Sequence, residues 1–157
     1  MKLNFRLTKR SDLHYFDEIR GERLPKLHLK RIQDQEENKA KYIIIFYKKK
    51  PVGHIFIRLK KDKKHKTIPI FEDIFVKKEY RGKGIGTKIL DYAEKQIKLN
   101  GFNECYLDFE VQEKHLKTFY EHRGYKIIGR PIKSNLILED KGKKVKIIYF
   151  TMKKELL

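Results

Sequence analysis

The chain has 157 residues, enough for one sizeable hydrophobic core, so a single domain spanning 1–157 is expected. Its 39 Lys+Arg against 21 Asp+Glu give a formal net charge of +18, and its one cysteine, Cys105, excludes an internal disulfide and any CxxC metal or redox motif. The lysines are spread along the chain and cluster only at 48–50 and 60–66, so they read as solvated surface; salt-dependent nucleic-acid binding is the less favoured meaning of the charge.

The opening MKLNFRLTKR lacks the apolar core of a signal peptide, and no apolar run approaches the roughly 18 residues of a membrane span. A cytoplasmic protein with no membrane partner is expected. Leu3 to Leu7 alternates as a strand. Ser11-Asp12 offers an N-cap for a helix carrying Leu13, Phe16 and Ile19, which Gly21 ends. Pro25 suits the first turn of a second helix with Leu27, Leu29 and Ile32. The apolar run from Tyr42 to Tyr47 predicts a central strand covered on both faces. A turn over 48–51 leads to a partner strand over 52–59. The basic loop 60–66 precedes a strand containing Glu72 to Val76.

Next comes a glycine-rich break, Arg81-Gly82-Lys83-Gly84-Ile85-Gly86, and a helix whose Ile85, Ile89, Ala93 and Ile97 recur every four residues. Asn100-Gly101 stops it. A strand over 103–110 places Cys105, Leu107 and Phe109 opposite Tyr106, Asp108 and Glu110. A short helix bears Leu116, Phe119 and Tyr120, and Gly124 closes it. A strand begins over 125–129, a polar excursion covers 131–143, and Val145 to Met152 forms the last strand. The order is that of one mixed α/β domain. Cys105, within a strand, reads as a buried inert thiol.

Strand, glycine turn, helix is the arrangement that aims backbone N–H groups and a positive helix end at a phosphate. Two phosphate motifs are excluded. The dinucleotide fingerprint GxGxxG fails because Thr87 stands at the third glycine, and the Walker A spacing is absent. What remains is Arg-x-x-Gly-x-Gly running straight into a helix.

That pattern at 81–86, with EDIFVKKEYRGKGIG around it and FYEHRGYKIIG downstream, resembles the GNAT superfamily of acyl-CoA-dependent N-acetyltransferases. FRLTKRSD, Val52-Gly53-His54-Ile55 and FTMKKEL resemble its first, third and last strands, so the resemblance covers essentially the whole chain. It implies a mixed, mostly antiparallel sheet of about seven strands flanked by about four helices, splayed between the fourth and fifth strands. It implies acetyl-CoA as co-substrate, held by Arg81, Gly82, Lys83, Gly84, Ile85, Gly86 and Thr87 at the pyrophosphate. Ile74, Phe75 and Val76 would face the pantetheine arm, and the Val76 N–H would donate to the thioester carbonyl. The reaction implied is acetyl transfer to a primary amine, of a small molecule or a protein, by direct attack in a ternary complex. No metal is called for.

Glu72 is the first choice of base. It lies four residues before Val76, expected on the same strand face as Ile74 and Val76, with Asp73 pointing the other way. Asp108 aligns with the base position of other members and is the alternative; Asp73 and Glu110 follow. Tyr120 aligns with the usual general acid. One departure is Glu113, where many members carry an Asn that contacts pantetheine. His115 and His122 lack further ligands for a metal. The resemblance puts the acceptor between the first two helices and the late loops, near 18–28 and 130–143. A homodimer is compatible with this reading. The second class of function is a GNAT-fold binding protein that uses its basic surface on nucleic acid or ribosome with little catalysis.

Overall fold

The computed structural model describes the backbone of residues 1–157 and all side chains except those of 136–139. In chain order the elements are β1 (Leu3–Leu7), α1 (Leu13–Arg20), α2 (Pro25–Glu36), β2 (Ala40–Tyr47), β3 (Lys50–Lys61) and β4 (Thr67–Val76). Then follow α3 (Ile85–Leu99), β5 (Glu104–Glu110), α4 (Lys114–Glu121), β6 (Lys126–Leu138) and β7 (Lys143–Glu155). The seven strands form one sheet in the order β1-β2-β3-β4-β5-β7-β6. Every neighbouring pair is antiparallel except β4–β5, which is parallel and paired only at Ile70↔Tyr106 and Phe71↔Leu107. Beyond Phe71 the two strands part. The mixed, splayed seven-stranded sheet with four helices is the expected architecture.

Two cores lie on the two faces of this sheet, and β2 supplies both. Its Ile43 and Ile45 join Ile85, Ile89, Leu90, Ala93 and Ile97 of α3. Its Tyr42, Ile44 and Phe46 join Phe16 and Ile19 of α1 and Ile32 of α2. A strand covered on both sides must be apolar at every position, which is why this run does not alternate. Burying a side chain such as Ile89 contributes about 1.5–3 kcal/mol, so the α3 stripe is what fastens that helix to the sheet.

Local structure departs from the sequence reading in several places. Asp12 makes no side-chain cap for α1; it is buried in a bidentate pair with Arg6, at 2.7 and 2.8 Å, and accepts the Lys9 N–H at 2.7 Å. A charge-assisted fork to an arginine outcompetes a single cap bond. On α2 it is His28, not Leu29, that faces the core with Ile32, and Leu29 is exposed. The turn at 48–51 is tighter than expected: Lys48 and Lys49 take positive φ and β3 begins at Lys50. Likewise β3 continues to Lys61, inside the basic segment.

The polar excursion expected at 131–143 is instead the far half of a long β6–β7 hairpin, paired from Lys126↔Lys153 to Leu138↔Lys143. Pro131 is tolerated because β6 is the sheet edge and the register shifts between Ile128 and Ile132. The hairpin tip returns to the helices. Asp140 accepts the Lys26 and Leu27 N–H groups at 3.1 Å each, capping α2, and Lys141 reaches Glu22 at 2.8 Å. The segments 18–28 and 130–143 are thereby in contact. Among the described residues no helix is long and apolar enough to cross a membrane.

Candidate active site

The parting of β4 and β5 leaves the end of β4 with one open edge. Lys77 donates its N–H to Val52 O at 2.8 Å, and Val76 stands opposite Gly53 in the β3–β4 ladder. Backbone groups alternate sides in an antiparallel ladder, so the Val76 N–H and C=O face away from β3, into the gap. The carbonyl is taken by Arg81, whose Nε donates to it at 2.8 Å. Arg81 thus folds back over Phe75, with its guanidinium 5.0 Å from the ring centroid, and braces the strand end.

From that edge the chain passes through the glycine turn into α3. Gly82 and Gly84 have φ of 76° and 79°, which a Cβ would strain, and Gly84 is the N-cap of α3. It offers no side-chain cap, so the first-turn N–H groups of Ile85, Gly86 and Thr87 stay available, the first intrahelical bond being Lys88 N–H to Gly84 O at 3.2 Å. Gly86 is different. Its φ is not positive, and a Cβ there would meet no atom within 4 Å. Neither backbone conformation nor packing requires glycine at that position, and glycine inside a helix costs roughly 0.5–1 kcal/mol relative to alanine. Open space over a bare helix N-terminus is what an approaching phosphate uses. Arg123, at the end of α4, hydrogen bonds Thr87 Oγ1, and Lys83 lies 5.4 Å from the Tyr80 ring centroid, so further cations border the turn.

The acids sit on the other face, because β4 is bulged. His54 pairs with Phe75 and Phe56 with Glu72, so Asp73 and Ile74 together oppose Ile55 alone. Asp73 takes φ of 51°, in the left-handed region. Ile74 and Val76 pack with the α3-side core, whereas Phe75 packs with the α1–α2 side. Glu72 bonds Arg58 Nε at 3.0 Å, and Arg58 lies over Phe56 and near Asp34 of α2. The expectation that Glu72 shares a face with Ile74 and Val76, opposite Asp73, is therefore overturned. Glu72 and Asp73 both serve the α1–α2 side, since an extra residue in the strand resets its two-residue period.

Glu72 and Asp108 are the next residues after the last β4–β5 pair, Phe71↔Leu107, where the strands begin to part. Asp108 accepts from Thr151 Oγ1 at 2.7 Å, and burial raises its carboxyl above the ordinary range despite that bond and the Lys60 charge. The half-buried Tyr149 phenol is raised by burial and by both the Asp108 and Glu72 carboxylates, so the three groups share one neighbourhood. Tyr120 is nearly buried against Phe109, Phe119 and Tyr125, and burial pushes its phenol up to about 12. It is a neutral donor at any ordinary pH. Cys105 lies buried beside the Tyr125 hydroxyl at 3.4 Å, and burial pushes its thiol up to about 12, as suits an inert core cysteine. Glu113 sits at the start of α4, where its carboxylate approaches His115 at 3.6 Å.

Sequence reasoning missed a buried polar cluster under α1 and α2. Asp73 accepts from Arg20 at 2.8 Å and from Arg31 at 2.7 Å. His54 Nε2 lies 3.3 Å from Arg20, and His28 Nδ1 lies 2.8 Å from the Tyr42 hydroxyl. Burial favours the neutral Asp73 carboxyl, yet His54, Arg31 and Arg20 together outweigh it and hold it well below the usual carboxylate range. Burial lowers both imidazoles, with the two arginines adding to it, His28 to about 4 and His54 to about 3. These residues come from five elements, and the one local signal was a carboxylate type, tolerant of positive φ, inside a strand.

The sequence profile of the Acetyltransferase (GNAT) domain matches residues 38–127. Comparison with curated proteins finds no match. Among solved structures, the fold is similar to that of PaiA N-acetyltransferase from Thermoplasma acidophilum, solved in complex with coenzyme A, at 21% identity and TM-score 0.70 over 99% of both chains. It is similar to a chimera of Vibrio cholerae spermidine N-acetyltransferase SpeG and hSSAT, at 17% identity and TM-score 0.75 over 99% of this chain and 96% of the other. It is similar also to a ribosomal-protein-alanine N-acetyltransferase from Brucella melitensis, at 12% identity and TM-score 0.71 over 98% and 99%. With its profile match over more than half its length and its splayed sheet, this chain belongs to the GNAT acetyltransferase family.

Proposed function

We propose that the chain, acting as one domain over 1–157, transfers an acetyl group from acetyl-CoA to a primary amine within a ternary complex. The observation that carries this reading is the β4 edge at Val76, open toward β5, followed through the glycine turn by the N-terminus of α3 without a side-chain cap. Coenzyme A carries about four negative charges, and the first-turn N–H groups of α3 with Arg81 and Lys83 suit its phosphates. The open space at Gly86 fits such a ligand. Ile74, Phe75 and Val76 would border the pantetheine arm.

In the transfer step the amine nitrogen attacks the thioester carbon. Charge gathers on the carbonyl oxygen, and the Val76 N–H is the donor aimed into that gap. The C–S bond then breaks and the leaving sulfur takes a proton, for which the neutral Tyr120 phenol is the source. A lysine-like amine of pKa about 10.4 must lose a proton first, at about 4.6 kcal/mol at pH 7. Glu72 is the first assignment for that base and Asp108 the alternative. Both stand where the strands part, so an amine arriving from the α1–α2 side meets carboxylates before it meets the thioester.

A thiol-release screen with acetyl-CoA over amine acceptors tests the reading: small polyamines, amino-acid amides, and peptides with free N-termini or lysines. Release of coenzyme A that depends on the acceptor is expected. Thermal stabilisation by acetyl-CoA should accompany it, at RT ln(1 + [L]/Kd). No release with any acceptor, together with no acetyl-CoA stabilisation, would overturn it.

A further inference from the structure

The bulge in β4 has a chemical consequence for the strand beyond it. Asp73 is an L-residue at φ 51°, a conformation that persists only where the surroundings hold it. Those surroundings are two arginines from two helices. Arg20 of α1 and Arg31 of α2 both bond the same Asp73 oxygen, Oδ2, at 2.8 and 2.7 Å. Both side chains are largely buried, at 13% and 12% exposure, so solvent screens these pairs little. Phe75 is held from the same face. The Arg20 guanidinium lies 4.5 Å from its ring centroid, and His54 stacks on it at 5.7 Å with an interplanar angle of 11°. The residues on both sides of Ile74 are therefore anchored to α1, α2 and β3.

Without the bulge the two-residue alternation would carry on from Phe71, and every backbone group from Ile74 to Val76 would change sides. With it, the Val76 N–H faces the gap between β4 and β5. We propose that Arg20 and Arg31 are positioning residues for acetyl-CoA: through Asp73 they hold the β4 bulge that turns the Ile74 and Val76 backbone toward the pantetheine and thioester. This rests on the acetyl-transfer reading above. It assigns the two arginines a task that neither charge steering nor acceptor contact would give them, and it ties the acceptor-side helices to the cofactor side of the sheet.

The test compares two probes by titration calorimetry. Acetyl-CoA reaches the open strand edge, whereas 3′-phosphoadenosine 5′-diphosphate stops at the glycine turn. In Arg31→Gln and in Arg20→Gln, acetyl-CoA binding should weaken about tenfold, the worth of one or two well-aimed backbone hydrogen bonds, while the fragment binds as to wild type. Arg31→Gln combined with Asp73→Gly should recover most of the loss. Glycine takes positive φ unaided, and the double variant keeps the local charge balanced. Equal weakening of both probes, no weakening of either, or no recovery by glycine would overturn the clamp. Wild-type protein that binds the fragment but not acetyl-CoA would instead sink the acetyl-transfer reading, and the clamp with it.

Discussion

Glu72 of β4 and Asp108 of β5 are the residues that follow the last β4–β5 pair, Phe71↔Leu107, and both carboxylates act on the Tyr149 phenol. The two carboxylates stand in different environments. Glu72 is held by Arg58 at 3.0 Å, whereas the half-buried Asp108 carboxyl is raised by burial and has Thr151 as its donor. A proposed base must show itself in kcat. Glu72→Gln is expected to lower kcat about 10²-fold with little change in the KM for acetyl-CoA. Asp108→Asn should cost less than that. Thiol-release kinetics on a verified acceptor decide it, and the reverse ranking would pass the role to Asp108.

Tyr120→Phe removes one hydroxyl from a core ring. Among the described residues that hydroxyl has no hydrogen-bond partner, so the urea midpoint should move by no more than about 0.5 kcal/mol in stability. The proposed acid makes a different demand on kcat, a fall of about 10²-fold at constant acetyl-CoA affinity. An unchanged kcat would leave Tyr120 as a packing residue only.

Gly86→Ala should separate folding from ligand binding. The added methyl meets no atom within 4 Å and relieves a helical glycine, so the protein gains roughly 0.5–1 kcal/mol in stability. On the acetyl-transfer reading the methyl stands in the path of the phosphates, so acetyl-CoA binding should weaken about tenfold, roughly 1.4 kcal/mol. Higher Tm with unchanged affinity would show that the ligand keeps clear of this turn.

Acid should loosen the α1–α2 face before it touches the rest. Burial lowers the His28 pKa from 6.5 to about 4, with Arg31 and Arg20 adding to it. The unfolded chain therefore takes up a proton that the folded one refuses. His28 leaves stability at its full value above pH 6.5, and stability falls as pH drops from there through about 4, by on the order of 3 kcal/mol. His54, lowered to about 3, extends the decline. Urea midpoints across this range check it, and His28→Gln should flatten the upper part of the slope.

Much of the fold was legible because it depends on local pattern. The doubly covered run from Tyr42 to Tyr47, the four-residue stripe of α3 and the helix stops at Gly21 and Gly101 each follow from side-chain period or backbone freedom. The glycine turn was legible for the same reason, since Gly82 and Gly84 answer to their own positive φ. The long hairpin was not: its pairing is held by cross-strand contacts of β7, and no polar run such as 131–143 announces its partner.

What only the tertiary structure decided is the face on which the acids lie. Strand alternation placed Glu72 with Ile74 and Val76, and one extra residue at Asp73 reversed it. A bulge leaves no periodic trace in sequence, because it is fixed by groups far along the chain, here Arg20 and Arg31. The sequence by itself determined where the glycine turn and the start of α3 stand and which strand leads into them. The meeting of α1, α2 and β3 on one carboxylate determined which way that strand turns its backbone.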